Sequence, residues 1–166
     1  LGTGSAVPNN VLDNETLAER FQVDRDWIEQ RTGIRERRYC DDDEGTYELQ
    51  VRALKDALEC TGMEGSDLDL IICATVTAEM TCPSNACRVA AAVEAAPAGA
   101  FDLVAACSGF VYAMNVADNL LRGGSYDTIA IIGCDAMSKL TDQKDRGTSI
   151  LFGDAAGAVI LQRCDD

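Results

Sequence analysis

The stretch from Phe101 to Phe110, FDLVAACSGF, decides the fold, because the chain passes there from a strand to a helix through a cysteine. Residues 100–106 form an apolar run of strand length, and residues 108–122 are apolar on most sides of a helix before two glycines end it. A helix that is apolar on most faces is usually buried. The sequence therefore predicts a strand, then Cys107 at the junction, then a buried helix.

Outward from this stretch, apolar runs alternate with segments of helical spacing. The predicted strands are residues 1–7, 68–75, 100–106, 128–134 and 155–162, and the predicted helices are residues 14–22, 24–33, 46–61, 84–95 and 108–122. Aspartate or serine stands before several of these helices, and glycine follows several, as caps require. This alternation predicts an α/β fold, a mixed, mostly parallel five-stranded sheet with helices packed on it.

The composition excludes several classes of protein. A length of 166 residues fits one domain that can bury a core. The net charge of −14 disfavours nucleic acid and an anionic membrane as partners. No apolar run reaches the length of a membrane span, and no signal peptide is recognisable at the start. The eight cysteines include no C-x-x-C pair and the chain has no histidine, which argues against a zinc site and favours a reducing, cytoplasmic location.

Cys107 is the candidate nucleophile. In open α/β sheets, ligands bind beyond the carboxyl ends of the strands, where this cysteine is expected. The free N–H groups and the dipole at a helix start favour a thiolate, and the same groups can hold a thioester oxygen. From the spacing alone, a buried structural cysteine is the alternative.

Four segments resemble one known family. They are Gly2–Ser5 with Pro8, Trp27–Arg37 (W-I-x-x-R-T-G-I-x-x-R), Ala105–Phe110, and Asp145–Thr148 with Phe152–Ala158. Together they resemble the N-terminal half of the β-ketoacyl-acyl-carrier-protein synthase III family, within the thiolase superfamily. The resemblance implies a thiolase-like half-fold: residues 1–166 are the N-terminal thiolase-like domain, and the C-terminal thiolase-like domain lies outside this chain. It also implies a homodimer.

The resemblance implies a role for each matching residue. Cys107 would hold the acyl group as a thioester. Trp27 would stack on the adenine of coenzyme A with Arg146 on the other side, and Arg31 would lie near the phosphates. The arginines of residues 31–38 would then suit a phosphate-bearing substrate or an acidic carrier protein. For Trp27, packing in the core is the alternative.

The resemblance also implies an acyl pocket. Phe152 would border it, with plain core packing as the alternative. Cys82 stands before Pro83, where the family commonly has a bulky apolar residue that reaches into the partner subunit's acyl pocket. The smaller side chain leaves the acyl-chain preference open.

The activity implied is condensation of an acyl-CoA primer with malonyl-acyl-carrier-protein to start fatty acid synthesis. No cofactor is expected, because acyl-CoA is a substrate. In the family, a histidine and an asparagine of the second half assist decarboxylation, so we expect this chain alone not to condense. Three alternatives remain: another thiolase-superfamily condensing enzyme (a hydroxymethylglutaryl-CoA synthase or a specialised-metabolite ketosynthase), a non-catalytic acyl-CoA-binding or dimerisation module, and a cysteine-rich metal protein.

Overall fold

The structure is a computed structural model that describes residues 1–164. Its strands are β1 (Gly2–Ala6), β2 (Asn10–Asp13), β3 (Glu36–Tyr39), β4 (Leu70–Ala74), β5 (Gly99–Leu103), β6 (Thr128–Ala136) and β7 (Asp154–Gln162). Its α-helices are α1 (Asn14–Phe21), α2 (Arg25–Thr32), α3 (Thr46–Thr61), α4 (Asn85–Ala92), α5 (Gly109–Arg122) and α6 (Arg146–Ser149). None of the helices in this part of the chain is long and apolar enough to cross a membrane.

Five strands form the main sheet in the order β1-β7-β6-β4-β5. Strands β4, β5 and β6 pair in parallel, whereas β7 is antiparallel to both β6 and β1. Four of the five strands therefore point the same way, which confirms the predicted mixed, mostly parallel sheet. The carboxyl ends of β4, β5 and β6 meet at one edge, which we call the carboxyl edge.

Helices cover both faces of the sheet, because the strand side chains alternate between two apolar layers. Ile71 and Cys73 of β4 belong to the cluster under α3 and α4. Leu70, Ile72 and Ala74 belong to the cluster under α5. Every residue of β4 is buried, as the continuous apolar run predicts for a parallel strand covered on both sides.

Strand β1 lies very close to α3. A Cβ added at Gly4 would lie 2.2 Å from the Ala53 carbonyl oxygen and 2.3 Å from the Ala57 nitrogen. Any side chain here would therefore push the strand away from the helix. Small residues in β1 allow α3 to pack directly on the sheet.

The expected burial of α5 is only half right. Ala113, Ala117 and Leu121 are buried against β4 and β6, but Val111 and Tyr112 are 65% and 56% exposed. The reason is that the helix packs on the sheet with one face, and no other described element covers its outer face. Apolar side chains on most sides of a helix predict that most sides are buried, but within residues 1–164 only one face of α5 is buried.

The sequence did not predict the two short strands β2 and β3. Strands β2 and β3 pair antiparallel, Asn10 with Tyr39 through Asp13 with Glu36, and α1 and α2 lie between them in the chain. Buried Leu17, Ile28 and Ile150 form a small separate core beside this ribbon. The short helix α6 was likewise missed. These segments are short and polar, so they show neither of the apolar periods that identify strands and helices.

Candidate functional site

Cys107 lies where the sequence predicts, between β5 and α5, in a 3-10 turn formed by Ala106–Ser108. Its side chain is exposed. Ala106 has a φ of +47°, which is uncommon for a residue with a side chain and forces a sharp turn between strand and helix. Ser108 N–H donates to the Ala105 carbonyl at 3.1 Å. Among the described residues, the Cys107 N–H has no acceptor, so it remains free to bind an oxygen of a substrate.

The thiol opens into a cleft of about 480 Å³ at the carboxyl edge. Most of its lining is small or apolar, including Ala74, Gly133, Ala155 and Gly157. The Phe110 ring packs against Gly133: a Cβ added at Gly133 would lie 3.0 Å from Phe110 Cδ2. The cleft therefore offers an apolar surface beside a nucleophile, which suits an aliphatic acyl group.

A larger cavity of about 530 Å³ lies between α3 and the residues after α4. Glu59, Glu64 and Glu94 line it, together with Lys55. No cysteine and no aromatic side chain line it. We place the candidate site at the Cys107 cleft because reactive chemistry, rather than volume, identifies a site.

The other cysteines differ from Cys107 in their surroundings. Cys73 and Cys134 are buried, as the apolar strands predict, and burial raises the pKa of both thiols. Burial also raises the pKa of the Cys40 thiol to about 12. The exposed cysteines are Cys60, Cys82, Cys87, Cys107 and Cys164. Of these five, Cys107 is the one that lines the cleft.

A second group of predicted residues comes together on α2 and α6. The Arg146 guanidinium carbon lies 5.1 Å from the centre of the Trp27 ring, and that of Arg31 lies 5.7 Å from it. We call Trp27, Arg31 and Arg146 the indole clamp. Trp27 is half-buried against the small core of α1 and α2. Packing and an exposed ring face therefore coexist in this one side chain.

Asp145 holds the start of α6. The Thr148 hydroxyl donates to its carboxylate at 2.7 Å, and Gly147 N–H donates at 3.1 Å. These hydrogen bonds hold the pKa of Asp145 below its usual value of 3.8, and the bond from the Thr148 hydroxyl has the largest effect. The cap therefore fixes the turn from which Arg146 extends.

The arginines of residues 31–38 do not form one open cluster. Arg35 pairs with Glu29 at 2.9 Å, and Arg38 pairs with Glu36 at 3.2 Å. Arg37 is buried, with 5% of its surface exposed. Of the arginines in this stretch that are not buried, Arg31 is the one without a carboxylate partner within residues 1–164. The expectation of one basic cluster at residues 31–38, suited to a phosphate-bearing substrate or an acidic carrier protein, is therefore wrong, because three of its four arginines are paired or buried.

The two predicted acyl-pocket residues lie away from the cleft lining. Phe152 is 37% exposed in the turn between α6 and β7, and Cys82 is exposed in the loop between β4 and α4. Both segments lie at the carboxyl edge, since one precedes β7 opposite the end of β6 and the other follows β4. Their roles at the acyl group stay predictions.

The sequence reasoning missed Asp135. It follows the apolar run of β6 and lines the same cleft as Cys107. One of its oxygens accepts from the Thr75 hydroxyl at 3.0 Å, from Val76 N–H at 2.8 Å and from the Thr77 hydroxyl at 3.2 Å. Asp135 therefore holds the loop after β4 at the mouth of the cleft. An acid directly after an apolar strand was the available signal.

Comparisons with known proteins agree on one family. The model of 3-oxoacyl-[acyl-carrier-protein] synthase III matches residues 101–166. A β-ketoacyl-[acyl-carrier-protein] synthase III of Vibrio parahaemolyticus is 45% identical over 161 residues, which are 97% of this chain and 51% of that protein. The chain belongs to the β-ketoacyl-[acyl-carrier-protein] synthase III family. It spans about half the length of the curated relatives it matches.

Solved structures of synthase III proteins share this fold. The synthase III of Aquifex aeolicus has a TM-score of 0.95 at 42% identity, covering 99% of this chain and 53% of that one. The priming β-ketosynthase from the R1128 polyketide biosynthetic pathway has a TM-score of 0.95 at 34% identity, covering 99% and 49%. The five-stranded sheet and its helices are thus those of the thiolase-like synthase III fold.

Proposed function

We propose that this chain provides the nucleophile half of a β-ketoacyl-acyl-carrier-protein synthase III. It takes an acyl group from acyl-CoA onto Cys107, for condensation with malonyl-acyl-carrier-protein at the start of fatty acid synthesis. One observation carries this proposal: an exposed thiol at the start of α5 opens into an apolar cleft. The names of the relatives support the same reaction.

The first stage is transfer between two thiols. The Cys107 thiolate attacks the thioester carbonyl carbon of acyl-CoA. The carbonyl oxygen then becomes an oxyanion, to which the free Cys107 N–H can donate a hydrogen bond. The carbonyl re-forms as the bond to the coenzyme A sulfur breaks. Coenzyme A leaves as a thiolate and takes up a proton, and the acyl group remains on Cys107.

The indole clamp supports coenzyme A as the donor. A base stacked on an indole needs about 3.5 Å on each of its faces, so a sandwich needs about 7 Å between the groups on either side. The Arg146 guanidinium lies 5.1 Å from the ring centre, so it would have to move outward by about 2 Å. It is exposed and can do so, and Arg31 stands beside the ring to meet a phosphate.

The second stage needs groups beyond the cleft. Malonyl-acyl-carrier-protein loses carbon dioxide, its carbanion attacks the Cys107 thioester, and the thiolate is released. Donors must stabilise the enolate, and the sequence contains no histidine for this role. We assign these donors to the half of the relatives that this chain does not span. The 166 residues should therefore be acylated without condensing, with no cofactor.

A homodimer is part of the proposal. Strand β5 is at the edge of the sheet, and Phe101 within it and Val104 directly after it are 37% and 74% exposed. An unpaired edge with apolar side chains favours pairing with a second copy. Light scattering tests this, and a monomer at micromolar concentration would contradict it. A cytoplasmic location follows from the same proposal.

Intact mass spectrometry tests the acyl transfer. The chain is incubated with acetyl-CoA, and we expect one added acetyl group on the peptide that contains Cys107. Cys107→Ala should abolish it, whereas Cys60→Ala, which removes an exposed cysteine of α3, should not. Iodoacetamide should label Cys107 fastest, and acyl-CoA should protect it. Acylation that survives Cys107→Ala, or slow and unprotected labelling, would favour a non-catalytic acyl-CoA-binding module.

A priming ketosynthase of a specialised pathway is the second candidate, because the R1128 enzyme matches the whole described fold. A panel of acyl-CoA donors of different length and branching reports the accepted acyl group. Binding of carrier proteins from fatty acid and polyketide systems then separates the two candidates. Preference for a polyketide carrier would favour the second.

A further inference from the structure

A buried arginine joins the two helices of the indole clamp. Arg37 lies on β3 with 5% of its surface exposed, and it has no carboxylate partner within residues 1–164. Its Nη1 donates to the Leu12 carbonyl at 3.1 Å and to Asn14 Oδ1 at 2.9 Å. Its Nη2 donates to Asn14 Oδ1 at 2.9 Å and to the Ile150 carbonyl at 3.1 Å.

Asn14 extends this connection to α2. Its side chain is buried, and its Nδ2 donates to the Ile34 carbonyl at 2.7 Å. Ile34 directly follows Gly33, where α2 ends. The pair Arg37–Asn14 therefore holds the end of the helix that contains Trp27 and Arg31.

The Ile150 carbonyl is the other end of the connection. Ile150 ends α6, one turn beyond Arg146. Its apolar side chain packs in the same core as Ile28, but apolar contacts have no preferred direction. The planar guanidinium has a fixed fork geometry, so its hydrogen bonds define how α6 is oriented relative to α2. The Tyr39 hydroxyl, 3.1 Å from Gln143 Oε1, ties the segment before α6 to the same ribbon.

Stability alone is a poor reason for this arrangement. Burying a cation without a carboxylate costs several kcal/mol, and apolar residues of similar volume often replace buried charges without loss. Burial is also the main cause that lowers the pKa of Arg37. What the guanidinium adds, and an apolar side chain cannot, is a directed contact to the end of α6 and, through Asn14, to the residue that follows the end of α2.

We propose that Arg37 is a positioning residue that sets the separation of Trp27 and Arg146, and so the affinity for the nucleotide part of coenzyme A. This inference rests on the proposed function, in which the indole clamp binds coenzyme A. It predicts an effect on nucleotide binding and none on the reactivity of Cys107, which lies on a different segment.

The sole tryptophan of the chain provides the assay, because Trp27 fluorescence reports directly on the clamp. Coenzyme A is titrated into the wild type, Arg37→Lys, Arg37→Met and the control Arg122→Met, which removes an exposed arginine of α5. We expect Kd to rise about tenfold in Arg37→Lys, which keeps the charge without the fork, and to stay within about twofold of wild type in Arg122→Met. Acylation of Cys107 by acetyl-pantetheine, which has the thioester without the nucleotide, should stay within about twofold in Arg37→Lys.

Each outcome has a distinct meaning. An Arg37→Lys variant that binds coenzyme A as tightly as wild type would overturn the positioning role. Equal losses with acetyl-CoA and acetyl-pantetheine would also overturn it, because they would indicate a general structural role. If Arg37→Met does not fold, Arg37→Lys decides. If coenzyme A leaves wild-type fluorescence unchanged while Cys107 is still acylated, the clamp assignment is wrong, and the role of Arg37 falls with it without affecting the nucleophile.

Discussion

Replacing Gly4 with alanine tests how closely β1 approaches α3. The new Cβ would lie 2.2 Å from the Ala53 carbonyl oxygen and 2.3 Å from the Ala57 nitrogen, so the strand and the helix must separate by about 1 Å. Both atoms belong to helix backbone and cannot rotate away. Overpacking a core costs about 1–3 kcal/mol, and a forced backbone shift belongs at the upper end of that range. We expect Gly4→Ala to lower the free energy of unfolding by about 3 kcal/mol, a large part of a typical total of about 5–15 kcal/mol.

Urea unfolding followed by circular dichroism measures this loss. With a slope of about 1.5–2 kcal/mol per molar urea, the midpoint should fall by about 1.5–2 M. Gly157→Ala is the matched control, because Gly157 lies opposite Ser5 on the neighbouring strand and an added Cβ would meet no atom within 4 Å. We expect that variant to unfold near the wild-type midpoint. If the two variants have the same midpoint, the close approach of β1 to α3 is wrong.

Two further predictions concern carboxylates that hold loops of the carboxyl edge. Asp154→Ala should lower the free energy of unfolding by about 3–5 kcal/mol, because the buried carboxylate accepts hydrogen bonds from Cys40 N–H, Ser138 N–H and the Ser138 hydroxyl. The control Asp118→Ala, at an exposed ion pair, should lower it by under about 1 kcal/mol. Equal urea midpoints for the two variants would contradict this. Asp145 should titrate below 3.8 by NMR, and Thr148→Ala should move that midpoint upward; its folded pKa is lowered, so its stabilising contribution is present above about pH 3.8 and is lost as the pH falls through the lowered value. A wild-type midpoint at or above 3.8 would remove this account of the cap.

Local signals in the sequence located most of the elements around the site. Asp24 and Ser84 cap α2 and α4 as predicted, and of the two candidates Asp13 and Asn14 it is Asp13 that caps α1. Gly33 and Gly62 end α2 and α3 in the left-handed conformation. Each cap depends on residues within one turn of the helix, so a short sequence specifies it. The position of Cys107 between a strand and a helix was predictable for the same reason.

Longer-range features of the site were less predictable. The sequence suggested one basic patch at residues 31–38, but Arg35 and Arg38 form ion pairs and Arg37 is buried. Charge patterns along a chain do not reveal which partner each side chain meets after folding. The proximity of Trp27 and Arg146 was predicted only from the family resemblance, and the two side chains do lie close together, on α2 and α6.

By itself, the sequence determined the order of the main strands and helices and the placement of a cysteine at a helix start, because these follow from apolar period and from caps. Only the tertiary structure decided that β2 pairs with β3, that α5 leaves one face exposed and that Arg37 is buried, with hydrogen bonds to Asn14 and the Ile150 carbonyl. These features depend on contacts between residues far apart in the chain. Such contacts are selected by packing of the whole sheet and its helices, and no local pattern encodes them.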